Sequence, residues 1–408
     1  MVIENTEIMQ DSRREDTSQR NLSLNNSTLK NITPILMAGL LMDGGGQENY
    51  PVLIREADGM YPLKDDIWDN WLSFAYLAFE EFAKKCFQER KRIESFASVG
   101  SSNGADAIGA LFAFRDLERI IVTDTDEYIV KWARYNVQGY ANGVVVEGRT
   151  GNLCEPLDKV LKDKTKGIDV IYENLPNLPY LNIHDMTNGL NRSRGSNFDI
   201  STIRYYLCGK LSNHIGWKIR AYLLESHLAL LNSAKNVLNT GGSVICAIGG
   251  RMPLFIIEEM IRIAGYRPTE LIAGFKKQTE PEEVLCGYAY TEEVLYGSTE
   301  SKKVLDGYTQ TETDGIKHKS IETSFKTDII KFEFYDYEKA VPLLNNWQGG
   351  TGILSNNEMK ISPYIAKNGN QLKQRIKSCK LSAEQALKLY NQGKDIGHIV
   401  HMMRAEKM

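Results

Sequence analysis

The sequence predicts a doubly wound α/β fold, a parallel sheet with helices on both faces. Three observations point to it. Short apolar runs of strand length alternate with helical stretches between residues 93 and 345, the pattern of strands joined by crossover helices. The first run, Ser95 to Val99, enters a turn holding Gly100 and Gly104 and leaves it through a helix of small residues. The second run, from Arg119, ends in Asp124, twenty residues past Gly104.

Residues 1–30, rich in Asn, Ser, Thr, Arg and Glu and without apolar periodicity, read as a leader with no fixed structure. Residues 31–92 read as an N-terminal helical lid. Pro34 to Met42 is a short apolar run stopped by Gly44, Gly45 and Gly46, and Ile67, Trp71, Phe74, Phe82 and Phe87 recur at helical spacing between Asp65 and Arg92. In the sheet domain, helices are expected at 105–115, 127–140, 218–238 and 254–264. Strands are expected at 119–123, 144–147, 169–172, 243–248 and 329–335, each apolar and bounded by turn residues. A ten-residue repeat at 284–313, each copy opening on Val-Leu and a Gly at the fourth position, is too short to bury a core and reads as an expanded loop. Residues 346–408 read as a C-terminal helical extension, with helical spacing at Ala386, Leu389 and Ile396.

Composition narrows the function. The chain has 408 residues, 49 basic and 52 acidic side chains and a net charge of −3. Partners on a phosphate backbone select a basic surplus, so nucleic acid is not expected. No run approaches the roughly 20 apolar residues that span a bilayer, and the polar first twenty residues carry no secretory signal. Cytoplasmic residence follows as the expectation. The six cysteines are scattered with no CxxC, which favours reduced thiols over a disulfide framework or a zinc site. No metal is expected.

Glycines after the first strand let a ligand approach the backbone beside a helix start. Asp124, at the tip of the neighbouring strand, can accept both hydroxyls of a ribose, or can cap the helix that follows. Asn152, in Thr150-Gly-Asn-Leu153, can hydrogen-bond an adenine edge or serve as turn chemistry. The most specific stretch is Asp169 to Tyr180, where two prolines stiffen a loop that carries Asn174 and Asn177 at a strand's carboxyl end.

At these residues the chain resembles the class I S-adenosylmethionine-dependent methyltransferases, and among them the group whose fourth motif reads Asn-Pro-Pro-Tyr. The resemblance spans about 90–270 and implies a Rossmann-like sheet and S-adenosylmethionine as cofactor. It implies that Gly100, Ser101, Ser102, Asn103 and Gly104 hold the methionine part, Asp124 and Thr125 the ribose, and Asn152 with Leu153 the adenine. The loop from Asn174 to Tyr180 would hold the acceptor. Spacing from Asp169 favours Asn174, residue identity favours Asn177 to Tyr180, and both asparagines stay candidates. Ser98, Ser102 and Asn152 depart from the acid, Gly and acid usual at those motif positions. The segment from Ile248 to Pro253 is similar to part of the methionine S-methyltransferases, which implies an amino-acid-sized acceptor whose carboxylate Arg251 could hold.

The expected activity is methyl transfer to a nitrogen, or a thioether sulfur, of a small amino-acid-like or amine metabolite. Asn174, Asn177 and Tyr180 would position the acceptor and Glu173 would serve as base or stay a surface carboxylate. Tyr61 and Trp68 in the lid would line the substrate side. Rival readings are a protein or nucleic-acid N-methyltransferase, an NAD-dependent oxidoreductase and a non-catalytic cofactor-binding protein. The partners expected are a small-molecule substrate and at most a second copy of the chain.

Overall fold

The computed structural model describes residues 27–39, 51–161, 167–175, 205–207, 218–219, 222, 224–250, 252–279, 333–345, 347 and 364–408. In chain order the strands are β1 (Ser27–Asn31), β2 (Leu53–Ala57), β3 (Ser95–Val99), β4 (Arg119–Asp124), β5 (Val145–Thr150), β6 (Ile168–Glu173), β7 (Leu238–Gly249), β8 (Tyr266–Gln278), β9 (Phe334–Asp336), β10 (Tyr364–Ala366), β11 (Lys380–Leu381) and β12 (Ile396–Lys407). The α-helices are α1 (Thr33–Gly39), α2 (Trp71–Gln88), α3 (Ala105–Ala113), α4 (Glu127–Gln138), α5 (Glu155–Leu161), α6 (Glu225–Ala234), α7 (Leu254–Ile263), α8 (Tyr337–Asn345), α9 (Gly369–Arg375) and α10 (Ala383–Asn391).

The main sheet runs β10-β8-β12-β7-β6-β3-β4-β5. Strands β3 to β7 are mutually parallel, and β12 lies antiparallel between β7 and β8. Strand β8 therefore runs in the direction of β7, and both end on the same edge. The chain winds from β3 outward through β4 and β5, then returns to β6 on the other side. This reversal opens a crevice at the carboxyl ends of β3 and β6.

Both faces of the sheet are covered, which is why the central strands read as continuous apolar runs. One face packs α2, α3 and α4 around Phe79, Phe96, Phe114 and Tyr172. The other packs α6 and α7 around Leu228, Leu231, Ile256 and Met260. In α3, Gly109 lets α2 press close, since a Cβ there would overlap the Tyr76 ring. Tyr76 also donates its hydroxyl to the Ala105 carbonyl at 2.7 Å.

Several expectations change. Helical spacing at Ala386 and Leu389 does form α10, but Ile396 begins a strand, so the C-terminal residues complete the sheet instead of forming a helical extension. Its residues from Ile396 to Ala405 are all buried, and a strand covered on both faces lacks the alternation that marks strands in sequence. The final strand of the sheet is β12 and not the segment at 329–335, whose described part lies in β9 and pairs with β12 and β11. Residues 27–30, assigned to the leader, pair together with Asn31 against β2, so the segment at 31–92 is not wholly helical either. Strand β7 begins at Leu238, ahead of the expected start at Ser243, and takes in Gly241 and Gly242. The repeat at 284–313 lies outside the described residues. Among the described residues no helix is long and apolar enough to cross a membrane.

Candidate active site

The turn from Gly100 to Gly104 is braced from beneath. Gly100 and Ser101 donate their N–H groups to the Thr123 carbonyl at 3.0 and 2.9 Å, and Gly104 closes the turn onto the Ser101 carbonyl at 2.7 Å. Gly100, Ser102 and Gly104 have φ of +71°, +47° and +78°. Gly104 is needed twice over: its backbone is left-handed, and a Cβ would meet the Ala133 carbonyl of α4 at 2.9 Å. Asn103, buried, accepts from Ala105 N–H at 3.0 Å, and its own carbonyl accepts from Asn136 at 2.9 Å.

Asp124 stands beside this turn at the tip of β4. Its Oδ2 accepts from Ser102 N–H at 3.2 Å and its Oδ1 from Thr125 N–H at 2.8 Å. The helix-capping alternative falls away, because α4 is capped by Asp126, whose side chain accepts from Tyr128 N–H. Burial raises the Asp124 carboxyl above its ordinary range, against the pull of its three N–H donors. Gly151 N–H reaches the Asp124 carbonyl at 3.0 Å and so ties the β5 end to the β4 end. Asn152, half-buried there, starts α5 through its carbonyl, which accepts from Glu155 N–H at 3.1 Å. Leu153, with φ of +48°, packs in the core on the α6 face.

Asn174 follows β6 and is exposed. Leu175 is buried next to it, with Cδ2 3.6 Å from the place a Cβ on Gly100 would take. The β3 and β6 loops thus meet across the crevice. Glu173 is neither a surface carboxylate nor open to an acceptor in this structure. It has no exposure, and it joins His227 Nδ1 at 2.8 Å and Leu175 N–H at 2.9 Å. Asn177, Tyr180 and Arg251 lie outside the described residues.

A strap from Glu56 to Asp69 crosses the carboxyl edge. At one end Tyr61 donates its N–H to Ser102 Oγ at 3.0 Å, and Glu56 Oε1 accepts from Asn103 at 3.4 Å and from Leu63 N–H at 2.7 Å. At the other end Asp69 binds Lys276 and Thr279 beside the end of β8, and Trp68 packs on Tyr364 with ring centroids 4.5 Å apart. From β3 to β8 is four strand steps, about 19 Å. The eight residue steps from Tyr61 to Asp69 reach at most about 27 Å. That reach exceeds the gap, so the strap can join the glycine turn to the end of β8, with Leu63 and Ile67 packed against the core on the α2 face. Tyr61 therefore sits on the glycine turn, whereas Trp68 is part of the far anchor.

Asp106 is a buried acid beneath the glycine turn that sequence reasoning missed. It lies in the first turn of α3, 7% exposed, and accepts from the Ser98 hydroxyl and from Ala107 N–H at 2.7 Å. Burial pushes its carboxyl up to about 6. The signal was present as an acid two residues past Gly104 with a serine, Ser98, in the strand facing it. A folded value above the unfolded one means that the native state holds the proton more tightly. Stability should therefore fall as pH rises from about 4 to about 6, by up to about 3 kcal/mol, and stay level above. Asp106→Asn is expected to remove that slope, read as the difference in urea midpoint between pH 4 and pH 7.

No protein-family model matches the chain, and no curated protein matches its sequence. Among solved structures it is similar to the precorrin-6y C5,15-methyltransferase of Geobacter metallireducens GS-15, at 10% identity and TM-score 0.30 over 54% of this chain and 84% of that one. It is similar also to the ribosomal protein L11 methylase of Lactobacillus delbrueckii subsp. bulgaricus, at 16% identity and TM-score 0.27 over 52% and 72%. A third is the O-methyltransferase of Bacillus cereus in complex with SAH, at 13% identity and TM-score 0.27 over 49% and 74%. Of a further matching structure, from Thermoplasma acidophilum, the chain spans 57%. At such scores these likenesses add nothing to the residue geometry.

Proposed function

We propose that the chain is an S-adenosylmethionine-dependent methyltransferase acting on a nitrogen, or a thioether sulfur, of a small amino-acid-like or amine metabolite. One observation carries this reading: the Gly100–Gly104 turn, Asp124 and the Asn174–Leu175 loop converge on a single crevice at the sheet's switch point. The residues fit the cofactor. Asp124 is a nearly buried carboxylate able to accept ribose hydroxyls, and the exposed Gly100 leaves bare backbone beside it. Among the described residues, no Lys or Arg forms an ion pair with Asp106 or Asp124, which suits a ligand bearing positive charge.

When bound, S-adenosylmethionine supplies an electrophilic methyl group on a sulfonium. The protein's task is alignment. Asp124 fixes the sugar, with Thr125 beside it. Asn152 and Leu153 border the far side of the crevice where the adenine would lie. The Asn174 amide accepts from the acceptor's N–H and holds its lone pair toward the methyl. Asn177 and Tyr180 would extend the acceptor side and Arg251 would take a carboxylate. The strap carrying Tyr61 keeps water out of the crevice, and Trp68 anchors it.

Calorimetric titration with S-adenosylmethionine, S-adenosylhomocysteine and NAD tests the reading. Binding of the first two and not the third is expected. NAD binding alone would assign an oxidoreductase, and a chain that binds none of them would be a scaffold without this cofactor. Screening amino acids and amines for incorporation of labelled methyl then identifies the acceptor.

A further inference from the structure

We propose that Glu173 is a buried counter-charge by which the crevice selects a cationic ligand, and so the sulfonium form of the cofactor over its thioether product. The inference rests on the methyltransferase reading above. Glu173 and His227 are both wholly buried, at the end of β6 and on α6. Leu175 N–H donates to Oε2 at 2.9 Å, and Oε1 lies 2.8 Å from His227 Nδ1.

The state of the histidine follows from its other nitrogen. His227 Nε2 is buried and, among the described residues, has no hydrogen-bond partner. In an imidazolium that nitrogen would be a buried charged donor with nothing to accept it, a heavier penalty than an unpaired lone pair. The ring is therefore neutral, with its proton on Nδ1 and donated to Glu173. Cys246, directly across the ladder from Glu173, adds a third donor. Burial holds its thiol well above the ordinary range, so it stays S–H and donates to the carboxylate. All three neighbours are donors, which is the environment of an ionised carboxylate.

The Glu173–His227 pair thus carries one negative charge, and among the described residues no Lys or Arg forms an ion pair with it. A buried anion without a cation is unfavourable unless a ligand brings one. Its position says which ligand. Glu173 directly precedes Asn174, and Leu175, whose N–H it holds, reaches Gly100 of the cofactor turn. Its field therefore falls on the junction of the β3 and β6 loops, where the reacting sulfur is expected. Methyl transfer converts that sulfonium to a neutral thioether, and the attraction ends with the reaction.

The test compares S-adenosylmethionine with S-adenosylhomocysteine, which differ at the sulfur by one methyl and one charge. Calorimetry on the wild type should show the sulfonium form binding more tightly. Glu173→Gln, nearly identical in shape, should move the ratio of the two dissociation constants about tenfold toward the thioether while changing thioether affinity little. A structural role for Glu173 would weaken both ligands together and leave the ratio alone, and an unchanged ratio in the folded variant overturns the proposal. If Glu173→Gln does not fold, the wild type decides, since equal or tighter binding of the thioether overturns it as well. A wild type that binds neither ligand overturns the cofactor assignment and this inference with it.

Discussion

Asp124→Ala is expected to weaken S-adenosylmethionine binding by roughly two orders of magnitude while leaving the chain folded. Hydrogen bonds to a charged acceptor contribute about 1.5–3 kcal/mol each. A ribose offers two hydroxyls to this carboxylate, and about 2.7 kcal/mol corresponds to a hundredfold change. The same oxygens also hold Ser102 N–H and Thr125 N–H, so the variant loosens the glycine turn as well as the sugar site. Asp124→Asn separates the two effects. Its amide oxygen can still accept from one backbone donor, but the NH₂ end faces the other with a donor. It should fall between wild type and alanine in affinity, read by calorimetry. Full affinity in both variants would place the ribose elsewhere.

Why Asp124 was legible and Asp106 was not is a matter of how far each function depends on spacing alone. The glycine turn, the acid at the end of the next strand and the loop after β6 lie at the ends of short apolar runs, and β3 to β6 pair in the order their sequence implies. Those features are local. Asp106 acquires its character from Ser98 and from near-complete burial, which only packing supplies. Glu173 is similar: beside a stiff loop it reads as a surface acid, and its partner His227 is 54 residues away on another helix. The C-terminal strand was missed for a different reason. Strand β12 is covered on both faces, and its place between β7 and β8 is set by pairing with segments well over a hundred residues earlier. The strap was only half legible. Its aromatic and acidic composition marked a lid, but nothing local showed that Tyr61 meets the glycine turn while Trp68 packs at the opposite end.

The strap's far anchor gives the largest expected effect on stability. Asp69 and Lys276 are 1% and 2% exposed and form a direct ion pair, with Thr279 on the second carboxylate oxygen and the Lys276 ammonium 5.6 Å from the Trp71 ring centroid. Removing one member leaves the other charged, buried and unmatched, and such breaks cost about 3–5 kcal/mol. Lys276→Met and Asp69→Leu should each lower the unfolding free energy by that amount, read from urea unfolding. The double variant should recover most of the loss, because two apolar side chains of similar volume satisfy each other. Simple addition of the two losses would mean that the groups do not act as a pair. The function should not recover with the stability. The pair fixes where the strap lands at the end of β8, so the double variant should hold S-adenosylmethionine at the Ser102 end yet show a raised KM for the acceptor. An unchanged KM in a stable double variant would show that the strap does not shape the acceptor side of the crevice.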